Sequence, residues 1–180
     1  MERALRLLAG MLVFAVSASA GAQRVEAPEA SVKAAFLYKF AGYVEWPPRT
    51  GGGAAEPFTI GVLDSEAVAE ELERLVPGRS IAGRPAVVRR LHRGDSVKGV
   101  QLLFAGGPAP DPDAIRAAQA QGALVVTESR SGLAAGSAIN FVMAGDHVGF
   151  EVSLEGAERS GLRISSRMLA VARRVVQKGA

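Results

Sequence analysis

The sequence predicts a single α/β domain, in which a mixed, mostly parallel sheet is flanked by helices on both faces. Short, continuous apolar runs, each typical of a buried strand, alternate with amphipathic segments of helical period. Towards the C terminus, two apolar runs are separated only by Ala144-Gly145-Asp146, which predicts an antiparallel hairpin before a final helix. About 160 residues follow the first segment of the chain, enough for one domain with its own core.

That first segment, residues 1–22, has the layout of a secretory signal peptide. Two arginines precede an apolar run, and small residues follow it, with cleavage expected near Ala20 or Ala22. A retained membrane anchor is less favoured, because the apolar run of about 10 residues is shorter than the roughly 20 that span a bilayer. We therefore expect an exported protein, located in the periplasm, whose domain covers residues 28–178.

The first predicted helix spans Ser31–Trp46 and ends before Pro47-Pro48, because the residue before a proline disfavours helical geometry. Its apolar side chains recur at helical period and share one broad face. That face comprises Val32, Ala35, Phe36, Phe40, Tyr43 and Val44.

The remaining elements follow from the same two patterns. Apolar runs predict strands at Phe58–Leu63, Pro85–Leu91, Val100–Phe104, Ala123–Thr127, Ala138–Met143 and His147–Val152. Amphipathic segments predict helices at Ser65–Val76, with Ser65 as its N-cap, at Asp111–Gln121 and at Ser165–Gln177, and a short helix or turn at Leu154–Arg159.

Composition excludes several classes of chemistry. The chain has no cysteine, so it has no disulfide, thiol nucleophile or thiolate metal site. Its two histidines, His92 and His147, give little material for metal binding or acid–base catalysis. The 21 basic residues are scattered and nearly balanced by 18 acidic ones, which argues against a nucleic-acid partner. We expect no metal and no cofactor.

Ser165 and Ser166 stand where a strand gives way to a helix, a place where some enzymes hold a nucleophile. A serine nucleophile requires a neighbouring base, and the nearby basic residues, Arg163 and Arg167, do not give up a proton. The patterns S-x-x-K and G-x-S-x-G are both absent around the pair. The pair is therefore predicted to cap the helix, and no catalytic residue is assigned.

The first helix carries two lysines within or beside its apolar face, Lys33 and Lys39. The favoured interpretation is that both lay their stems on the core and keep the ammonium in water. The alternatives are an ion pair with a carboxylate such as Asp64 or Glu151, or contact with a partner. The residues assigned to the core or to partner contact are Lys33, Phe36, Tyr38, Lys39, Tyr43 and Trp46.

Long blocks of the sequence resemble the YfiR family. They are VKAAFLYKFAGYVEWP (Val32–Pro47), FTIGVL (Phe58–Leu63), GRSIAGRP (Gly78–Pro85), VQLLF, INFV (Ile139–Val142) and FEVSLEGAERSGLRISSRMLAVA (Phe150–Ala172). The resemblance implies a periplasmic, often dimeric, α/β protein that binds the periplasmic sensor region of a membrane diguanylate cyclase and represses it. It also implies an outer-membrane lipoprotein that relieves the repression, and no catalytic residues.

The chain departs from this family in its lack of cysteine. Members of the YfiR family often have Cys-His where this chain has Val100-Gln101. The family's type member has cysteines, which make redox control of that repressor plausible. A disulfide switch is impossible here, so regulation would come from a partner or a small ligand. The leading hypothesis is a non-enzymatic repressor that lowers cyclic di-GMP. The alternative is a periplasmic small-molecule sensor that binds its ligand at the ends of the strands.

Overall fold

The computed structural model describes residues 22–47 and 56–177, with side chains from residue 29 onward. The predicted signal peptide lies outside this part of the chain, apart from its last residue. The described helices are α1 (Ala22–Phe40), α2 (Glu66–Leu75), α3 (Pro112–Ala120), α4 (Leu154–Arg159) and α5 (Ser166–Val171). The described strands are β1 (Val44–Glu45), β2 (Phe58–Leu63), β3 (Ser80–Ile81), β4 (Arg84–Leu91), β5 (Leu102–Ala105), β6 (Leu124–Thr127), β7 (Ile139–Ala144), β8 (His147–Ser153), β9 (Arg163–Ile164) and β10 (Arg174–Val176).

The main sheet has eight strands in the order β10-β8-β7-β6-β5-β2-β4-β3. Strands β7, β6, β5, β2 and β4 run parallel to one another. Strand β8 folds back on β7 as the predicted antiparallel hairpin, turning at Gly145, whose φ is 65°. The predicted fold class, a mixed and mostly parallel sheet in an α/β domain, is confirmed.

Two apolar layers enclose the sheet. Because side chains alternate along a strand, Ile60 and Val62 of β2 pack on the side of α1 and α2, whereas Leu63 packs on the opposite side with α3. The helical coverage of both faces explains why these strands appear in the sequence as continuous apolar runs.

The contact of α1 with the hairpin is aromatic. The Phe40 ring lies 4.9 Å from that of Phe150 and 5.7 Å from that of Phe141, and the Phe36 ring packs against both of them. These rings pack the second half of the helix against strands β7 and β8, and they determine which face of α1 points inward.

The predicted bounds and face of the first helix require correction. Helix α1 ends at Phe40, where Gly42 and Tyr43 close tight turns, and Val44–Glu45 instead pairs antiparallel with Arg163–Ile164. Val32 and Tyr43, predicted to be on the buried face, are 41% and 44% exposed. The buried side comprises Ala30, Lys33, Ala34, Leu37, Phe40 and Ala41.

The final helix is also shorter than predicted. Helix α5 ends at Val171, and Arg174–Val176 joins the sheet as a strand parallel to β8. The Arg173 N–H donates to Phe150 O, and Arg174 forms a two-pronged ion pair with Glu151 at 2.9 Å. The open edge of β8 supplies backbone partners that local helical periodicity does not reveal.

Candidate functional site

A cleft of about 380 Å³ lies at the carboxyl ends of the central parallel strands. The chain passes from β2 through α2 to β4 on one side, and β5 then returns to the other side of β2. This reversal leaves a crevice between the ends of β2 and β5, which is where open α/β sheets bind ligands. The polar residues that line it are Glu29, Lys33, Ser65 and Glu128, and we call it the Lys33 cleft.

Lys33 is the buried charge of the cleft, with only 9% of its surface exposed. Its Nζ donates to Glu128 Oε2 at 2.5 Å and also to Glu29 Oε1, one helical turn earlier on α1. Burial works against the charged ammonium, but the hydrogen bonds and negative charges of Glu128 and Glu29 outweigh it and raise the pKa of Lys33. The expectation that this ammonium stays in water is therefore wrong, and its carboxylate partners are neither Asp64 nor Glu151.

Glu128 joins Lys33 to the loop that follows β5. Its second oxygen, Oε1, accepts the Gly107 N–H at 2.7 Å. Gly107 has a φ of +82°, a conformation that glycine adopts without strain. A side chain at the neighbouring Gly106 would lie 2.7 Å from Cβ of Ser65, so only glycine lets these two loops meet. The contacts tie α1 to the loops after β2, β5 and β6.

The N terminus of α2 forms another wall of the cleft. Ser65 stands at the N-cap position, but its side chain makes no capping hydrogen bond, contrary to the prediction. In α3, by contrast, Asp111 accepts from the backbone of Asp113 and Ala114. Ser65, Ala67 and Val68 all line the cleft. The uncapped first turn therefore faces a space that polar groups can enter.

Lys33 is held protonated by two carboxylates, so it is not poised to accept a proton. In the described ranges, no cluster of three or more His, Cys, Asp or Glu side chains could hold a metal ion. Within the same ranges, no helix has the length and apolar character needed to cross a membrane.

Comparison with known proteins identifies the family. The sequence profile described as YfiR/HmsC-like matches residues 30–173, which include the Lys33 cleft apart from Glu29 and nearly all of the sheet. The chain belongs to the YfiR/HmsC-like family. This family is regulatory rather than catalytic; its members are periplasmic and act with the periplasmic regions of diguanylate cyclases in cyclic di-GMP signalling.

Comparisons with curated proteins and with solved structures bear on the fold alone. None of the curated proteins compared with the chain matches it. A crystal structure of a conserved domain protein from Vibrio cholerae O1 biovar El Tor strain N16961 aligns with a TM-score of 0.51 at 14% identity. The alignment covers 82% of this chain and 60% of that one. At this identity the likeness supports the shared fold alone.

The other predicted contact residues of this family member do not gather in the cleft. Tyr38 donates its hydroxyl to Ser80 O at 3.2 Å and lies beneath the Arg79 guanidinium. Trp46 donates Nε1–H to Ala41 O at 3.0 Å and packs edge-on against Phe58. Lys39 and Tyr43 are exposed.

Exposed apolar side chains stand on both elements that meet in the contact between α1 and the hairpin. Val32 lies one turn before Phe36 on α1, and Met143, which is 51% exposed, follows Phe141 by two residues on the same face of β7. We call Val32, Phe36 and Met143 the hairpin patch. Met143 does not stand out in the sequence, because an apolar residue at the end of a strand also fits the core.

Ser165 and Ser166 have different positions at the start of α5. Ser165 is the N-cap residue: its hydroxyl accepts from the Met168 N–H at 3.4 Å, and its own N–H donates to Tyr43 O. Ser166 is the first residue of the helix and is exposed.

Sequence reasoning missed two residues of the Lys33 cleft, Glu29 and Glu128. Glu29 precedes Lys33 by four residues, a spacing that signals an ion pair once the helix is known to begin earlier.

Proposed function

We propose that this protein is an exported, non-enzymatic regulator that binds the periplasmic sensor region of an inner-membrane diguanylate cyclase and represses it. Repression would lower the cellular level of cyclic di-GMP. The observation that carries the proposal is the family match over residues 30–173. Export would use the signal peptide at residues 1–22, and the regulatory domain would span residues 28–178.

Repression would work through preferential binding to the inactive state of the cyclase, because a binding protein shifts an equilibrium only by its difference in affinity for the two states. The hairpin patch is the surface that we assign to this contact. Its exposed apolar side chains, Val32 and Met143, stand on two different elements that the Phe36 contacts hold together. Such apolar anchors on a firm support are typical of binding hot spots.

Relief of repression would not use a disulfide, since the chain has no cysteine. An outer-membrane lipoprotein that competes for the regulator is the proposed partner for this step. A homodimer is the proposed oligomeric state. Both are proposed by analogy with the family, and no contact in the described part of this chain carries them.

Binding to the periplasmic region of the cyclase encoded nearest to this gene tests the proposal directly. Calorimetry with the purified proteins is expected to show saturable binding that Met143→Asp weakens at least about tenfold, as expected of a hot-spot residue. Val87→Asp is the matched control, because Val87 is an exposed apolar residue at the opposite end of the sheet. Absence of binding, or equal loss in both variants, would contradict the proposed surface.

A second candidate function, sensing of a small molecule, is favoured by the Lys33 cleft. The cleft lies at the strand ends, where open α/β sheets bind ligands, and its volume of 380 Å³ is within the range of small-molecule sites. A regulator with such a cleft could respond to a solute without any redox chemistry.

A further inference from the structure

We propose that the Lys33 cleft binds a small zwitterion, a molecule with one carboxylate and one ammonium group separated by a few carbons. The inference deepens the second candidate function, sensing, by naming the chemical class of the ligand. It does not depend on repression of a cyclase, so the two proposals stand or fall separately.

Hydrogen-bond donors for the carboxylate lie at the start of α2 and on Lys33 of α1. The Ser65 hydroxyl has no partner among the described residues, and no side chain caps the first turn of α2. Two of the three N–H groups of the Lys33 ammonium are taken by Glu29 and Glu128, which leaves one. A ligand carboxylate near the start of α2 would accept hydrogen bonds from these donors, which the protein leaves unused.

The acceptor for the ammonium lies on α1, one helical turn before Lys33. Glu29 uses Oε1 for Lys33, and its Oε2 accepts no hydrogen bond within the described part of the chain. Its side chain is 30% exposed, so a solute can reach it. Glu128, in contrast, has both oxygens engaged by Gly107 and Lys33. Glu29 is therefore the acceptor that remains available for a ligand ammonium.

The unused donors and the unused acceptor together favour a zwitterion over a simple ion. A simple carboxylate would leave the free oxygen of Glu29 unmatched, and a simple amine would leave the donors of Ser65 and of the first turn of α2 unused. A ligand that carries both charges, with its carboxylate towards the start of α2 and its ammonium towards Glu29, would use both sets of groups, and Ala30 and Val68 supply apolar contact for the carbons between them.

A nuclear magnetic resonance titration of the purified protein tests this inference. The probes are glycine, β-alanine and 4-aminobutyrate, with acetate and methylammonium as controls that carry only one charge. We expect at least one zwitterion to shift the amide signals of Ser65, Ala67 and Gly107 in a saturable way. Acetate and methylammonium are expected to bind at least about tenfold more weakly, since each makes only half of the charge-assisted contacts.

Two variants locate the binding within the cleft. Ser65→Ala removes a donor, and Glu29→Gln removes the free acceptor charge; each is expected to weaken binding at least about fivefold. Glu73→Gln is the matched control, because Glu73 lies on α2 outside the cleft and pairs with Arg90; it is expected to leave the affinity unchanged. The spectra themselves report whether each variant is folded.

Three outcomes would overturn the inference: no saturable shift up to about 50 mM of any zwitterion, equal binding of acetate or methylammonium, or wild-type affinity in both cleft variants. None of these outcomes bears on whether the protein binds a cyclase. Conversely, a cyclase that the protein does not bind would leave a saturable titration of the cleft intact.

Discussion

Lys33 Nζ lies 2.5 Å from Glu128 Oε2, a contact between residues that are 95 positions apart in the sequence. It joins the first helix to the end of the central strand β6, at the edge of the sheet where the cleft opens. Because Lys33 is almost fully buried, the interaction is strong only while both partners are charged.

Removal of the lysine charge is expected to destabilise the fold. In Lys33→Met, Glu29 and Glu128 face each other in a partly buried site without a counter-charge. We expect a loss of about 2–3 kcal/mol in the free energy of unfolding, less than for a fully buried pair because the carboxylates retain some contact with water. Urea denaturation measures it. Lys39→Met, at an exposed position of the same helix, is the control and is expected to change stability by less than about 0.5 kcal/mol.

The same ion pairs predict a dependence on pH. The pKa of Lys33 is raised in the folded protein above its ordinary value of 10.5. Its contribution to stability is therefore fully present below pH 10.5 and disappears as the pH rises through the higher, folded-state pKa. The difference in Tm between wild type and Lys33→Met is expected to stay constant up to about pH 10 and then to shrink. A difference that persists unchanged to the most alkaline point would contradict the charged pairing.

The aromatic contacts of α1 with the hairpin predict that removal of the Phe40 ring destabilises the protein much more than removal of the Tyr43 ring. Phe40 is 2% exposed and contacts Phe141 and Phe150, so Phe40→Ala is expected to lower the free energy of unfolding by about 3–5 kcal/mol. Tyr43→Ala, three residues later on the exposed surface, is expected to cost less than about 1 kcal/mol. Thermal and urea unfolding of both variants checks the comparison, and similar losses would contradict the inward position of Phe40.

The position of Ser165 at the N-cap of α5 predicts that its hydroxyl contributes to stability. Ser165→Ala is expected to lose about 0.5–1 kcal/mol of stability, because it removes a cap whose hydrogen bond is long. Ser166→Ala, at the first position of the helix, is expected to change stability by less than about 0.5 kcal/mol. Urea denaturation of the two variants measures both effects. A larger loss for Ser166→Ala than for Ser165→Ala would contradict the assignment of Ser165 as the cap.

The fold class was predictable because its signal is local. Continuous apolar runs such as Phe58–Leu63 identify strands covered on both faces, and Ala144-Gly145-Asp146 marks the hairpin turn. The strand Arg174–Val176 was not predictable, since its apolar spacing also fits a helix and its hydrogen-bond partner is the distant edge of β8.

The cleft was only partly predictable. Lys33 stood out in the sequence as a lysine beside an apolar face, but a helical wheel does not reveal a carboxylate that arrives from another strand. Glu128 joins the site through tertiary folding alone. Ser65 was predicted as a cap on its residue type, but its side chain makes no capping hydrogen bond, and its close approach to Gly106 is a tertiary contact that the sequence does not reveal.

The most direct test of the central claim is the cellular level of cyclic di-GMP in a strain that lacks this gene and retains the neighbouring membrane cyclase. If the protein represses the cyclase by contact, the level rises on deletion, returns on expression of the wild-type protein and stays high with the Met143→Asp variant. An unchanged level on deletion, with the cyclase shown to be present, would contradict repression.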